Sequence, residues 1–368
     1  MVLNFDLPGF LAAALAAEPS AADVLFAVGC PPQILVNGVL KRRAVGGLER
    51  LSPFQTEAIV LHLLAMAPAS AGERLRQQGA ASFAYSVPGV ARFRAVVFTQ
   101  RGTFAIALRA ISEHAPALES LGLPPAVRAA CSCPNGLILV NGPAGSGRST
   151  TLAAMVHQIN ITRACHVVTV EEPIEFLHRH DRSTVNQREV GTDTPSLAQG
   201  LRDALQVGAQ VLVAGEVRNG EEARLLVEAA DTGLLVLSSL RGSDTASALA
   251  RLLSLWPREE RADSARLLAR VLRWSFTQHL LPRPDGRQAV VEVWRAAPAT
   301  TAMLAEGAPG ARELAQVLRD GEAEGQIALD RELERRVRAG QLDLTAALAR
   351  AALPDQLEQR LRQAEGAK

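Results

Sequence analysis

Lysine is almost missing from this chain: of its 39 basic residues, all but Lys41 and Lys368 are arginine. A site that elsewhere relies on a compact ammonium must here accommodate a broad planar guanidinium. Net charge is nearly missing too. A balance of +1 over 368 residues gives no global attraction to nucleic acid or anionic lipid, so no nucleic-acid partner is expected. No apolar run reaches membrane-spanning length, which argues against direct membrane insertion. The alanine- and leucine-rich stretch between Met1 and Ala22 is preceded by Asp6 and by no basic residue, unlike a secretory signal. Cys30, Cys131, Cys133 and Cys165 read as ordinary thiols of a reducing compartment, and Cys131-Ser132-Cys133 lacks the second ligand pair of a zinc site. There is no internal repeat. What remains, at 48% hydrophobic and 21% charged, is a soluble globular chain long enough for two domains.

Against this background one segment stands out. Gly142-Pro143-Ala144-Gly145-Ser146-Gly147-Arg148-Ser149-Thr150 is a phosphate-binding loop, complete except that Arg148 occupies the lysine position. Its context is right: Leu137-Ile138-Leu139-Val140 reads as a buried strand leading in, and Thr151 to Met155 as a helix leading out. Glycines 142, 145 and 147 let successive N–H groups turn toward one anion, and the helix N-terminus adds partial positive charge. The hydroxyl of Ser149 is placed to meet Mg²⁺. Since lysine is scarce everywhere, Arg148 is consistent with a chain-wide exchange, yet its fork needs more space at the β- and γ-phosphates than lysine does.

Around the loop, two regimes are legible. Up to residue 112 the pattern alternates, as in Gln33 to Leu40 and Ala91 to Phe98, around a helix near Thr56 to Met66, with Asn37-Gly38 as a hairpin turn. Prolines and polar residues mark 113–134 as a linker. From 135 to 296 apolar runs at Leu137–Val140, Val167–Val170, Val211–Ala214 and Leu234–Leu240 alternate with helical stretches, the pattern of a parallel sheet covered on both faces. Asp285-Gly286 is expected to turn a hairpin between Gln278–Leu281 and Gln288–Trp294, and 297–368 reads as helical packing elements. The expected fold is α/β.

Nucleotide hydrolysis also needs carboxylates at neighbouring strand tips and cations near the γ-phosphate. Glu171 and Glu172 follow the run Val167 to Val170, and Glu216 follows Val211 to Ala214, at the ends of strands where α/β sheets hold ligands.

Together with Cys30 to Gly38, Val87 to Arg94, Asn135 to Val140, Ser149 to Met155, Glu172 to Phe176 and Val185 to Val190, these motifs resemble the PilT-type ATPases over nearly the whole chain. Those are hexameric motors that retract bacterial type IV pili, within the secretion ATPase superfamily. The resemblance implies a PAS-like α+β amino-terminal domain, a RecA-like P-loop core and a helical carboxyl-terminal region. It implies ATP and Mg²⁺, a homo-hexamer or a mixed ring with a paralogous ATPase, and a cytoplasmic place at the inner-membrane platform of the pilus base. Carried over, Gly142, Pro143, Ala144, Gly145, Ser146, Gly147, Arg148, Ser149 and Thr150 bind nucleotide, and Glu171 and Glu216 are the catalytic candidates. Arg94, Arg101 and Arg109 fall where the family's amino-terminal domain supplies arginines toward nucleotide.

This sequence also departs from the family pattern. Leu234 and Arg241 stand where two histidines are usual, Asn219 replaces an aspartate, and Ala299 to Leu304 keeps little of a motif associated with retraction. These changes are expected to cluster at the nucleotide and to slow hydrolysis. Three readings follow: an active retraction motor, a weak or inactive regulatory or structural ring subunit, and a secretion or DNA-uptake ATPase.

Overall fold

The computed structural model describes residues 5–18, 21–36, 39–43, 48–111, 115–283 and 286–365. The chain forms two compact units: Met1–His114 with Pro173–Leu177 and Glu189–Pro195, and the remainder.

In the first unit the alternating segments pair into an antiparallel sheet of β1 (Ala21–Ala27), β2 (Gln33–Val36), β3 (Val39–Arg42), β4 (Ala80–Val87), β5 (Ala91–Gln100) and β6 (Thr103–Ile111), ordered β3-β2-β1-β6-β5-β4. The period of two sorts its faces. Phe93, Ala95 and Val97 of β5 are buried against α1 (Leu7–Ala17), α2 (Pro53–Ala65) and α3 (Ala69–Gln78), which turns Arg92 and Arg94 to the other face. Ser52 starts α2 with a capping box to Gln55, which satisfies donors that the helix itself cannot. The strands β2 and β3 pair from Val36 opposite Val39 outward, while the expected turn residues Asn37-Gly38 lie outside the described residues. Within this unit Arg92 also reaches Glu189 at 3.0 Å, holding the segment 189–195 to β5.

The second unit begins inside the stretch expected to be linker. There Leu118–Leu121 forms a 3-10 turn and Pro125–Ala130 forms α4, and Leu118, Val127, Ala130 and Cys131 enter the core. Pro125, one of the prolines of this stretch, is the first residue of α4, where its missing N–H has no intrahelical partner to lose. Burial also pushes the Cys131 thiol up to about 12, so this cysteine is a packing residue.

The main sheet contains β7 (Gly136–Asn141), β8 (His166–Glu171), β9 (Thr184–Glu189), β10 (Val211–Glu216), β11 (Leu235–Leu240), β12 (Leu272–Arg283) and β13 (Gly286–Arg295), ordered β13-β12-β7-β11-β10-β8-β9. Strands β12, β7, β11, β10 and β8 run parallel, and β13 is antiparallel to β12. Every residue of β7 and β11 is buried, as expected of central parallel strands. The intervening helices are α5 (Arg148–Thr162), α6 (Leu197–Gln206), α7 (Gly220–Asp231), α8 (Thr245–Ser254) and α9 (Arg261–Val271). The β12–β13 hairpin is longer than the sequence suggested, and its turn residue Asp285 lies outside the described residues. Beyond it come α10 (Pro298–Glu306), α11 (Ala311–Asp320), α12 (Leu329–Arg338), α13 (Leu344–Leu348) and α14 (Pro354–Glu365). Leu329, Leu333, Leu342, Ala347, Leu357 and Leu361 from this region make a small core on Leu281 and Val290 of the hairpin.

Candidate nucleotide site

The loop between β7 and α5 is shaped by what its glycines allow. Gly142, Gly145 and Gly147 have φ of 148°, 76° and 87°. A Cβ on Gly142 would lie 2.3 Å from Ser146 Oγ and 2.4 Å from the Gln278 carbonyl, and one on Gly147 would lie 2.8 Å from Gln278 Nε2. Gly147 opens α5 without a side-chain cap, so the first-turn N–H groups have no intrahelical acceptor. Ser146 Oγ is buried without a hydrogen-bond partner, while Ala144, Gly145 and Ser149 are exposed at the mouth. Backbone donors, a buried hydroxyl and a positive helix end together suit a phosphate. The exposed Ser149 hydroxyl and the nearby carboxylates are oxygen donors of the kind Mg²⁺ takes.

Gln278, which the loop motif does not signal, clamps this turn from β12. Its Nε2 donates to the Ser146 carbonyl at 2.7 Å and its Oε1 accepts from the Thr151 hydroxyl at 2.7 Å. The trace it leaves in the sequence is compositional: Ser275, Thr277, Gln278 and His279 are all buried polar residues in one strand. Beneath the loop, Asn141 donates to Ser275 Oγ at 2.6 Å, Thr277 meets Thr245 at 2.8 Å, and the Thr245 N–H reaches Glu292 Oε1 at 2.9 Å. Burial raises the Glu292 carboxyl above the ordinary carboxylate range.

Sheet order explains which carboxylate meets the loop. The carboxyl ends of β7, β11, β10 and β8 lie side by side in that order, so the loop and Glu216 are separated by one strand, whose end carries Arg241. Register slips between Val213 and Glu216, a bulge that re-aims the strand end, and Ser238 Oγ donates to the Gly215 carbonyl there at 2.9 Å. Glu216 then takes two guanidiniums: Arg148 Nη2 at 3.3 Å from Oε2 and Arg241 Nε at 2.7 Å from Oε1. The Arg148 and Glu216 side chains are 13% and 14% exposed, and that of Arg241 is 56% exposed.

Glu171 stands one strand further out, at the tip of β8. It accepts from Thr169 Oγ1 at 2.6 Å and from Gln187 Nε2 at 3.3 Å, three strands or roughly 14 Å from β7. Glu172 pairs with Arg218 at the surface. Asn219 caps α7 by accepting from the Glu222 N–H at 3.0 Å, so the expected aspartate is replaced with its capping capacity intact. One expectation is corrected here. Leu234 does not join Arg148 and Arg241: its carbonyl accepts from the Gly136 N–H at 2.9 Å at the amino ends of β7 and β11, a full strand away from Arg241.

The three candidate arginines of the first unit do not converge either. Arg94 and Arg109 are cross-strand partners on β5 and β6, whereas Arg101 occupies the turn at the far end of that hairpin, with φ of 49°. Arg109 holds Asp23 through two bonds of 2.7 and 3.0 Å, and Asp23 raises the guanidinium above its ordinary range. Arg94 donates its Nε to Ser82 Oγ at 3.2 Å. With Asp23, Leu25, Val96 and Ala107 these arginines line a cavity of about 200 Å³, smaller than the usual range for a site that encloses a nucleotide-sized ligand.

A glycine loop between a central parallel strand and a helix, with a carboxylate two strands away in the same sheet, defines a P-loop α/β domain. The family model described as "Type II/IV secretion system protein" matches residues 50–355. The type IV pilus retraction ATPase PilT of Pseudomonas aeruginosa is 32% identical over 343 residues, covering 93% of this chain and 97% of that protein. A twitching motility protein of Neisseria gonorrhoeae is 34% identical over 326 residues, covering 88% and 84%. A crystal structure of the pilus retraction motor PilT with bound ADP matches at a TM-score of 0.85 and 32% identity, over 97% of this chain and 100% of that one. The chain belongs to the type II/IV secretion system protein family, and within it to the PilT-type ATPases. Among the described residues no helix is long and apolar enough to cross a membrane.

Proposed function

We propose that this chain is an ATPase of the type IV pilus retraction machinery that underlies twitching motility. The observation that carries the reading is the Gly142–Thr150 loop with Glu216 at hand, in a chain that aligns nearly end to end with a retraction ATPase. ATP is the substrate. Its phosphates lie on the N–H groups of the loop and of the first turn of α5, with Arg148 as the adjacent cation. Ser149 would hold Mg²⁺ beside Glu216, and the ion would supply charge neutralisation when bound. Glu216 orients water toward the γ-phosphorus and accepts its proton as the β–γ bond breaks and ADP leaves, with Glu171 supporting from the neighbouring strand. Arg94 and Arg109, cross-strand partners on β5 and β6, serve a neighbouring site as charge-neutralising donors. The protein assembles as a hexamer, homomeric or mixed with a paralogous ATPase, and works in the cytoplasm at the inner-membrane platform of the pilus.

A catalytically inert regulatory subunit is not favoured, because relatives matched over nearly the whole chain are themselves named as retraction ATPases and the loop keeps its glycine geometry. Steady-state ATP hydrolysis with Mg²⁺, measured beside Glu216→Gln, tests the reading. Turnover is expected to fall about 10²-fold in the variant. Wild-type turnover no higher than that of Glu216→Gln would overturn it.

A further inference from the structure

Arg148 and Arg241, two departures from the family pattern, meet on one carboxylate. We propose that in the nucleotide-free protein Arg148 and Glu216 form an internal lock on the phosphate loop, so that nucleotide binds by displacing Glu216 from the Arg148 guanidinium. The proposal rests on the nucleotide reading of the loop and adds how that site is regulated.

The geometry assigns each oxygen of Glu216 to a different arginine, Oε2 to Arg148 and Oε1 to Arg241. Arg241 enters from the end of β11, between the loop strand and β10, and so fixes the carboxylate on the side facing the loop. The Arg148–Glu216 contact is largely shielded from water, which weakens screening and strengthens the pull of one group on the other. A guanidinium takes carboxylate and phosphate by the same planar donor fork, so the two compete for it directly. Arg148 is also the first residue of α5, and its side chain must choose between the loop mouth and the tip of β10. A locked fraction lowers apparent affinity in proportion, whatever the intrinsic strength of the site.

Binding of a fluorescent ADP analogue in EDTA, on the full chain, separates the lock from its alternatives. Four proteins are titrated: wild type, Glu216→Gln, Arg148→Ala and the double variant, each with its thermal melt recorded. Glu216→Gln is expected to tighten binding about five- to tenfold when Arg148 is present and less than about twofold when Arg148 is alanine. Equal tightening in both backgrounds means that Glu216 merely repels phosphate, and it overturns the lock while leaving the nucleotide site intact. Binding in none of four proteins that melt cooperatively overturns the nucleotide reading itself, and the lock with it.

Discussion

Two clusters in this chain are assembled from the same parts, two arginines and one carboxylate, and their settings make them physically different. Asp23, Arg109 and Arg94 lie in a row across β1, β6 and β5, lined up by register on an open sheet face, and the Arg109 side chain is 65% exposed. Glu216, Arg148 and Arg241 converge at the ends of parallel strands, where Arg148 and Glu216 are largely out of water. On a sheet face, neighbours are fixed by register and their charges are screened. At the carboxyl end of a parallel sheet, residues far apart in sequence arrive from different strands, and one substitution changes which charge meets which.

The largest effect should come from breaking the loop's backbone rather than its charges. Gly142→Ala forces a Cβ to within 2.3 Å of Ser146 Oγ and 2.4 Å of the Gln278 carbonyl, at a φ of 148°. Strain and overlap of about 3 kcal/mol, if borne by the loop, correspond to about 100-fold weaker nucleotide binding. Gly89→Ala in the first unit is the matched control, because Gly89 has φ of 73° with nothing within 4 Å of its Cβ. It should cost about 1 kcal/mol in stability and leave nucleotide binding unchanged. Equal loss of binding in the two would mean that overlap at Gly142 contributes nothing.

The pattern of what was legible follows the same division. Glycine spacing, a flanking apolar run and a following helix are local, so the loop and the strand-tip position of Glu216 could be read directly from the sequence. Gln278 could not, because it meets Thr151 from 127 residues away, through a strand order that no local period encodes. The partners of Arg241 have the same cause: they depend on β11 lying between β7 and β10. Leu234 departs from its expected place for a simpler reason. It lies seven positions from Arg241, close in sequence, but the extended strand between them carries them to opposite ends of the sheet. The stretch 113–134 reads as a linker because prolines break helices in their interior, yet Pro125 sits where a helix begins.

A pH titration sharpens the contrast from the buried side. His279, 1% exposed in β12 beside Gln278, is pushed down to about 4, first by burial and then by Arg350. Its folded form stays neutral while the unfolded chain, with the ordinary value near 6.5, takes up a proton. Stability from this group is therefore present above about pH 6.5 and is lost as pH falls toward 4. Between pH 7.5 and pH 5 the loss should be about 2 kcal/mol, read as a shift in urea midpoint that is missing in His279→Gln. Identical pH profiles for the two proteins would show that this histidine does not couple folding to protons.

The smallest effect on stability is expected at Arg94 in the surface cluster, and that is what makes it decisive. Arg94 gives one bond to Ser82 and lines a small cavity, so Arg94→Ala should change stability by less than about 0.5 kcal/mol. Arg109→Ala should cost more, about 1–2 kcal/mol, because it leaves Asp23, whose side chain is 11% exposed, without its bidentate partner. Stability alone therefore ranks Arg109 above Arg94, and ATP turnover is free to reverse that order. If Arg94 neutralises charge at a neighbouring site, Arg94→Ala lowers turnover tenfold or more in a protein that melts like wild type. If turnover and melting are both unchanged, Arg94 is a solvated strand arginine with no part in the chemistry at the end of the second sheet.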